Sequence, residues 1–280
     1  MGGLRLALTL FTVAPLRTGR VDRATARTAM ALAPLAGALL GLVLALAGLG
    51  LVAAGATPLL AGAIMIGLGV LLTRGLHVDG LADTADGLGS YAGPEKALEI
   101  MKKSDIGPFG VAAIAVVLLI DTAAATSLLN AHLAATSLLG DHLAATPPLD
   151  THGAATSRFG AHGVALLRTL AAVTAAFAAG RLGATVASRR GLPAARPDGL
   201  GALVAGTIGI PTLTLAALAT AALAALADPW RGPPAVAAAM TVAWLLTRHA
   251  QRRLGGITGD VIGATIELTT MTALIILSTT

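Results

Sequence analysis

Between Arg27 and Arg74 the chain carries no charged side chain. Such a run is too long for one membrane-crossing helix, which takes about 17 to 25 residues, and too apolar for a water-facing surface. Gly55, Thr57 and Pro58 supply a turn inside it, so it predicts two spans, over 31–54 and 58–73. Other weakly charged stretches predict spans at 109–129, 163–180, 199–227, 233–247 and 261–279. Pro211 predicts a kink within the long fifth span, because proline removes a backbone donor. The expectation is an all-α integral membrane protein, a bundle of about seven transmembrane helices making one multi-pass domain over 1–280 of a cell membrane.

Composition agrees, since 55% of residues are hydrophobic and only 12% charged. With 2% aromatics, the helices must pack by close backbone approach, and Gly37 with Gly41 forms a small-xxx-small pair suited to that. The absence of cysteine excludes disulfides, thiolate metal sites and cysteine nucleophiles. Arg17, Arg20, Arg23 and Arg27 precede the first apolar run without a cleavage pattern, so this segment does not read as a removable signal peptide.

Charge also orients the chain. Of 19 Lys and Arg residues, Arg158 and Arg231 fall in outer segments and Arg168 within a span, leaving sixteen in segments on one side. The positive-inside rule then predicts a cytoplasmic N-terminus, with 75–87, 181–199 and 248–260 sharing the cytoplasmic face. Despite a net charge of +5, nucleic-acid binding is excluded, because the basic residues are scattered over loops with almost no aromatics to stack bases. The bilayer is the expected partner, and the oligomeric state stays open.

Directly after the second span, Gly75–Gly87 reads GLHVDGLADTADG. On a helix, Asp79, Asp83 and Asp86 fall within about 60° of one another, where three like charges repel unless a cation sits among them. Mg²⁺ fits, being a hard ion that shares oxygen ligands between carboxylates and substrate phosphates. Asp260 and Glu267, seven apart, share a second helix face, and Glu267 falls inside a span, where ionisable groups mark function. Asp121 and Arg168, also in or near spans, could pair across the interior. Arg181 and Arg196 suit phosphate through a bidentate fork, although the same residues satisfy the positive-inside pattern. Lys102, Lys103 and Ser104 read in the same two ways. Gly256 and Gly259 of GGITGD offer unhindered backbone N–H groups to a phosphate. His77 reads as a structural or substrate-polarising group, and Glu95, Lys96 and Glu99 as a solvated loop helix.

Residues 121–162 follow a different rule, repeating every ten residues as DTAAATSLLN, AHLAATSLLG, DHLAATPPLD and THGAATSRFG. His132, His142, His152 and His162 recur at that period, but ten residues turn a helix so that successive histidines step roughly 80° around the axis. They do not align on a helix. The segment reads as a low-complexity insert in an external loop.

Several motifs together carry a family resemblance. GLHVDGLADTADG, the Met101–Gly110 segment MKKSDIGPFG, the opening Phe11-Thr12 with Pro15, the ARPDGLG string at 195–201 and GGITGD at 255–260 with Gly263, Ala264 and Glu267 occur in this order. The chain resembles the cobalamin synthase family, the adenosylcobinamide-GDP ribazoletransferases. What the resemblance implies is a Mg²⁺-dependent phosphoryl-diester transfer. A ribose hydroxyl of α-ribazole, or of its 5′-phosphate, would attack the phosphate on adenosylcobinamide-GDP, and GMP would leave. Asp79, Asp83 and Asp86 would then be metal ligands and, with Asp260 and Glu267, catalytic residues. His77, Lys102, Lys103, Ser104, Arg181, Arg196, Gly256 and Gly259 would bind substrate. Two other classes are a CDP-alcohol-type phosphotransferase, whose DG-x-x-A-R pattern fails here for want of the Arg, and a transporter, which predicts repeated halves that the sequence does not show.

Overall fold

Proline opens many of the helices. Pro34, Pro58, Pro94, Pro108, Pro211 and Pro233 stand at the first or second helical position, where their missing N–H has no partner to lose. A computed structural model describes residues 2–16, 21–144 and 151–279, and the side chains among them outside 138–161. The helices are α1 (Gly2–Phe11), α2 (Arg23–Ala31), α3 (Ala33–Ala53), α4 (Pro58–Leu72), α5 (Leu76–Gly89), α6 (Pro94–Ile100), α7 (Pro108–Ala144), α8 (Thr151–Ala187), α9 (Gly199–Val204), α10 (Ile210–Ala227), α11 (Gly232–Leu254) and α12 (Gly259–Ser278). Among the described residues there is no strand, only the isolated bridges Arg189–Ile208 and Ala194–Ile257.

The bundle is all-α and membrane-like, and five or six spans, against an expected seven, are long and apolar enough to cross a bilayer. Five helices are long and apolar enough to cross: α3, α7 over Pro108–Ser137, α8 over His162–Ala187, α10 and α12. A sixth span exists if α4 and α5, bent by 87° to one another, count as one. Alone, the 15 residues of α4 reach about 22 Å, short of a hydrocarbon core of about 30 Å. The expected span at 233–247 lies in α11, whose end carries Arg248, His249, Gln251, Arg252 and Arg253 and which is not among the five. The kinked span over 199–227 is also corrected: α9 ends at Val204, and Pro211 begins α10 instead of bending it.

Of the decad repeat, residues 121–144 form the end of α7 and residues 151–162 the start of α8. Residues 145–150, the side chains of His142 and His152, and Arg17 and Arg20 lie outside the described residues.

Small residues set the packing. A Cβ on Gly41 would lie 2.9 Å from the Phe177 Cβ and the Thr174 Cα, so the Gly37/Gly41 face of α3 meets the backbone of α8 directly. On the other side of α8, the Thr269 hydroxyl lies 3.1 Å from the Gly180 carbonyl and 2.7 Å from that of Thr265 on its own helix. Thr185, Thr247, Thr265 and Thr270 likewise satisfy buried hydroxyls on the carbonyl four residues back, as a bundle interior without water requires.

Candidate functional site

The site begins at an elbow. Arg74 (φ 58°) and Gly75 (φ 66°) both occupy the left-handed region, which turns the chain sharply between α4 and α5. For Arg74 this conformation costs energy, and its guanidinium is anchored by an Nη2–H donated to the Thr9 carbonyl at 3.0 Å. Past the elbow, α5 lies against the first turns of α12. A Cβ on Gly80 would be 2.8 Å from the Asp260 carbonyl oxygen, and one on Gly263 would be 3.1 Å from that of His77. Only glycine permits this approach, and the approach brings the two acidic motifs together.

Within α5 the three aspartates diverge in environment. Asp79 is exposed, Asp83 half-buried and Asp86 buried. The Gly107 N–H donates to Asp86 Oδ2 at 2.7 Å and the Gly110 N–H to Oδ1 at 2.9 Å. Both oxygens of Asp86 therefore serve the start of α7, where a carboxylate pairs with orphan amides and the helix dipole. Asp86 thereby clasps the second motif to the first. Burial first, and then the negative charges of Asp79, Asp260 and Asp86, push the Asp83 carboxyl up to about 6, opposed by Arg196.

Asp260 is placed by α12's own cap. Thr258 accepts the Val261 N–H at 3.2 Å and donates to Asp260 Oδ2 at 3.1 Å. Its loop is zipped to the 193–201 loop: the Ile257 N–H reaches the Pro193 carbonyl and the Ala195 N–H the Ile257 carbonyl, each at 2.9 Å. That pairing delivers Arg196, whose Nη1 lies 3.5 Å from Asp260 Oδ2 while Nη2 donates to the Leu98 carbonyl at 2.8 Å. Between these loops opens a cavity of about 350 Å³, lined among others by Lys102, Arg196, Asp198, Thr258, Gly259 and Asp260. Arg196 Nε is buried there without a partner among the described residues.

The remaining expected site residues separate into three groups. Gly259 and Lys102 reach the cavity; Lys103 and Ser104 sit on the exposed turn before α7 and do not line it. Gly256 is buried, and a Cβ there would meet the Pro193 carbonyl and Ala194, so this glycine permits the close approach of the two loops and does not line the cavity. His77, Arg181 and Glu267 go deeper. Arg181, 2% exposed, holds its Nη2 3.5 Å from His77 Nδ1, which lies 3.9 Å from Glu267 Oε1. Neither Arg181 nor His77 is presented to the 350 Å³ cavity. Asp121 joins this interior group around a void of about 20 Å³, room for about one water. Arg168 is elsewhere, at the opposite end of the bundle beside Asp228, so it does not pair with Asp121.

Among the described residues no three His, Cys, Asp or Glu side chains converge as a ready metal cage. Mg²⁺ does not require one, because it commonly takes one or two carboxylates and fills its other positions with water and phosphate. Asp79 and Asp83, one turn apart and accessible, fit that smaller role. Sequence reasoning passed over Thr258 and Asp198 as lining residues, although a threonine ahead of a helix is a capping signal and Asp198 stands within the ARPDGLG string.

An arginine-, lysine- and carboxylate-lined cavity thus opens at one end of an apolar helical bundle of the multi-pass membrane class. The chain belongs to the cobalamin-5-phosphate synthase family, whose family model matches residues 3–278. It is 38% identical over 223 residues to an adenosylcobinamide-GDP ribazoletransferase of Frankia casuarinae, covering 75% of this chain and 68% of that one. A protein of the same name from a Nocardioides species is 33% identical over 265 residues, covering 94% of this chain and 93% of its own. A third, from Allorhizobium ampelinum, is 37% identical over 217 residues, or 75% and 69% of the two chains. No solved structure matches the chain.

Proposed function

We propose that this membrane transferase of cobalamin synthesis joins adenosylcobinamide-GDP to α-ribazole or its 5′-phosphate, releasing GMP. The observation that carries the reading is the meeting of Asp79, Asp83 and Asp260 with Arg196 beside a cavity of about 350 Å³. A ribose hydroxyl oxygen forms a bond to the phosphorus attached to the cobinamide arm, the bond from that phosphorus to GMP breaks, and the hydroxyl proton passes to a carboxylate. In this geometry Arg196 and Lys102 hold the diphosphate by charge-assisted hydrogen bonds, and Thr258 and the open Gly259 backbone shape the phosphate side. A carboxylate that the metal does not engage accepts the proton, and Asp260, partly shielded from water, is one so placed. Asp79 and Asp83 would hold Mg²⁺, which supplies charge neutralisation at the diphosphate when bound. Asp86 keeps the α7 start in place, and the buried Arg181–His77–Glu267 group braces α5 against α8 and α12.

The acidic end faces the cytoplasm in this reading, supported by the gathering of Arg and Lys at that end, where the nucleotide substrate is also found. The direct test is to incubate membranes containing the protein with adenosylcobinamide-GDP, α-ribazole and Mg²⁺, with and without EDTA. Formation of a joined corrinoid that EDTA suppresses is the expected result, and no corrinoid product under any condition would sink the reading.

A further inference from the structure

At the end of the bundle opposite the aspartates lies a larger cavity, about 620 Å³, that the reaction does not use. Its walls are apolar, with Leu128, Ala131, Val164 and Leu277 among the lining residues of α7, α8 and α12. Its polar lining includes Arg168, Arg231 and Asp228, whose charges act on one another, and His132. Arg168 is exposed. Arg231 donates through Nη1 to the Thr279 carbonyl, and His132 Nδ1 is buried without a hydrogen-bond partner among the described residues.

Asp228 is one carboxylate beside two guanidiniums, and its Oδ1 accepts the N–H groups of Trp230 at 2.8 Å and Arg231 at 2.9 Å. Those amides, Arg231's first, hold its carboxyl below the usual range. Two guanidiniums against one engaged carboxylate leave the rim net positive.

The height of this rim is marked independently. Trp230, next to Arg231, is 86% exposed, and Trp side chains concentrate at the headgroup level of a bilayer. Beside it, α10 turns Leu215, Leu218 and Leu226 outward, each more than half exposed, as a surface against acyl chains would. An apolar slot below a cationic rim at headgroup height matches one kind of molecule.

We propose that this cavity is a binding site for an anionic phospholipid, its phosphate held by Arg168 and Arg231 and an acyl chain lying along the Leu128–Ala131–Leu277 wall. The site is separate from the transferase chemistry and would hold the lipid as a structural partner of α7, α8 and α12.

The full chain is reconstituted into nanodiscs of phosphatidylcholine with a minority of phosphatidylglycerol, and lipid retained on the protein is counted by native mass spectrometry. The expected result is preferential retention of phosphatidylglycerol, reduced about fivefold by Arg168→Gln, the size expected from one basic residue at a lipid headgroup. Arg168 is exposed and outside the catalytic end, so its variant serves as a folded probe. Ala131→Phe is expected to reduce retention of phosphatidylglycerol by filling the slot. Equal retention of the two lipids, or undiminished preference in Arg168→Gln, overturns the proposal. So does inorganic phosphate, if in discs of phosphatidylcholine alone it stabilises the protein against heat as much as phosphatidylglycerol does, since the site would then serve a free anion.

Discussion

Gly80 of α5 rests on the backbone of Asp260, so close that a Cβ there would come within 2.8 Å of the Asp260 carbonyl oxygen and 3.0 Å of its Cα. One missing methyl group thereby sets the distance between the two acidic motifs. Gly80→Ala is expected to push α5 from α12, costing about 1–3 kcal/mol of stability, the usual penalty of overpacking, and most of the activity. Gly67→Ala is the matched control, since Gly67 is a helical glycine with nothing within 4 Å of the added atom. Thermal unfolding in detergent and product formation by both variants check this; equal behaviour would show that the close approach is dispensable.

Asp83 and Asp86 are expected to separate when each is changed to asparagine. Asp83→Asn should insert and melt like the wild type while losing at least about a hundredfold in kcat, the order seen when one group stabilising transition-state charge is removed. Asp86→Asn leaves one of the Gly107 and Gly110 amides without an acceptor and should cost about 1–3 kcal/mol of stability. A wild-type rate in Asp83→Asn, or a wild-type melting temperature in Asp86→Asn, would reverse these roles.

Burial governs the third case. Arg181 lies 2% exposed beside His77, which in turn adjoins Glu267, so Arg181→Met should leave the Glu267 carboxylate uncompensated in the interior and cost about 3–5 kcal/mol. Asp121 is 3% exposed with Oδ1 unpartnered, so Asp121→Asn should be tolerated at least as well as the native residue. Yields of folded protein and melting temperatures of the two variants decide it, and the opposite order would show that Asp121, not Arg181, anchors the group.

Orientation can be read chemically because the chain has no cysteine. Ser104 is exposed on the turn before α7 and forms no part of the cavity wall. Ser104→Cys in intact cells is expected to resist a membrane-impermeant maleimide and to react once the cells are opened. Labelling of intact cells would put the acidic end outside.

The helical class, the Gly37/Gly41 contact and the acidic motifs are written in local sequence, because hydrophobic runs and small-residue spacing act within a few turns. The role of Asp86 could not be read that way: its partners, Gly107 and Gly110, lie 21 and 24 residues on, and its spacing from Asp83 is that of a shared helix face. Arg181 was ambiguous for a similar reason, as composition gives an arginine near a span's end the same signature whether it points to phosphate or into the bundle. The division after Val204 is signalled by Gly206, Thr207 and Gly209 ahead of Pro211, turn residues that the absence of charge over 199–227 outweighs when the run is read as one span.

The elbow at Arg74 and Gly75 has a consequence for how the chain enters a bilayer. Because α5 turns by 87° instead of prolonging α4, its carboxylates can stay at the edge while only the uncharged α4 is threaded into hydrocarbon. Carrying an aspartate to the centre of a membrane helix costs insertion about 2.5–3.5 kcal/mol per residue, and α5 has three. The bend thus lets one continuous stretch of nascent chain be accepted by the insertion machinery and still deliver a polar workplace at the bilayer's rim.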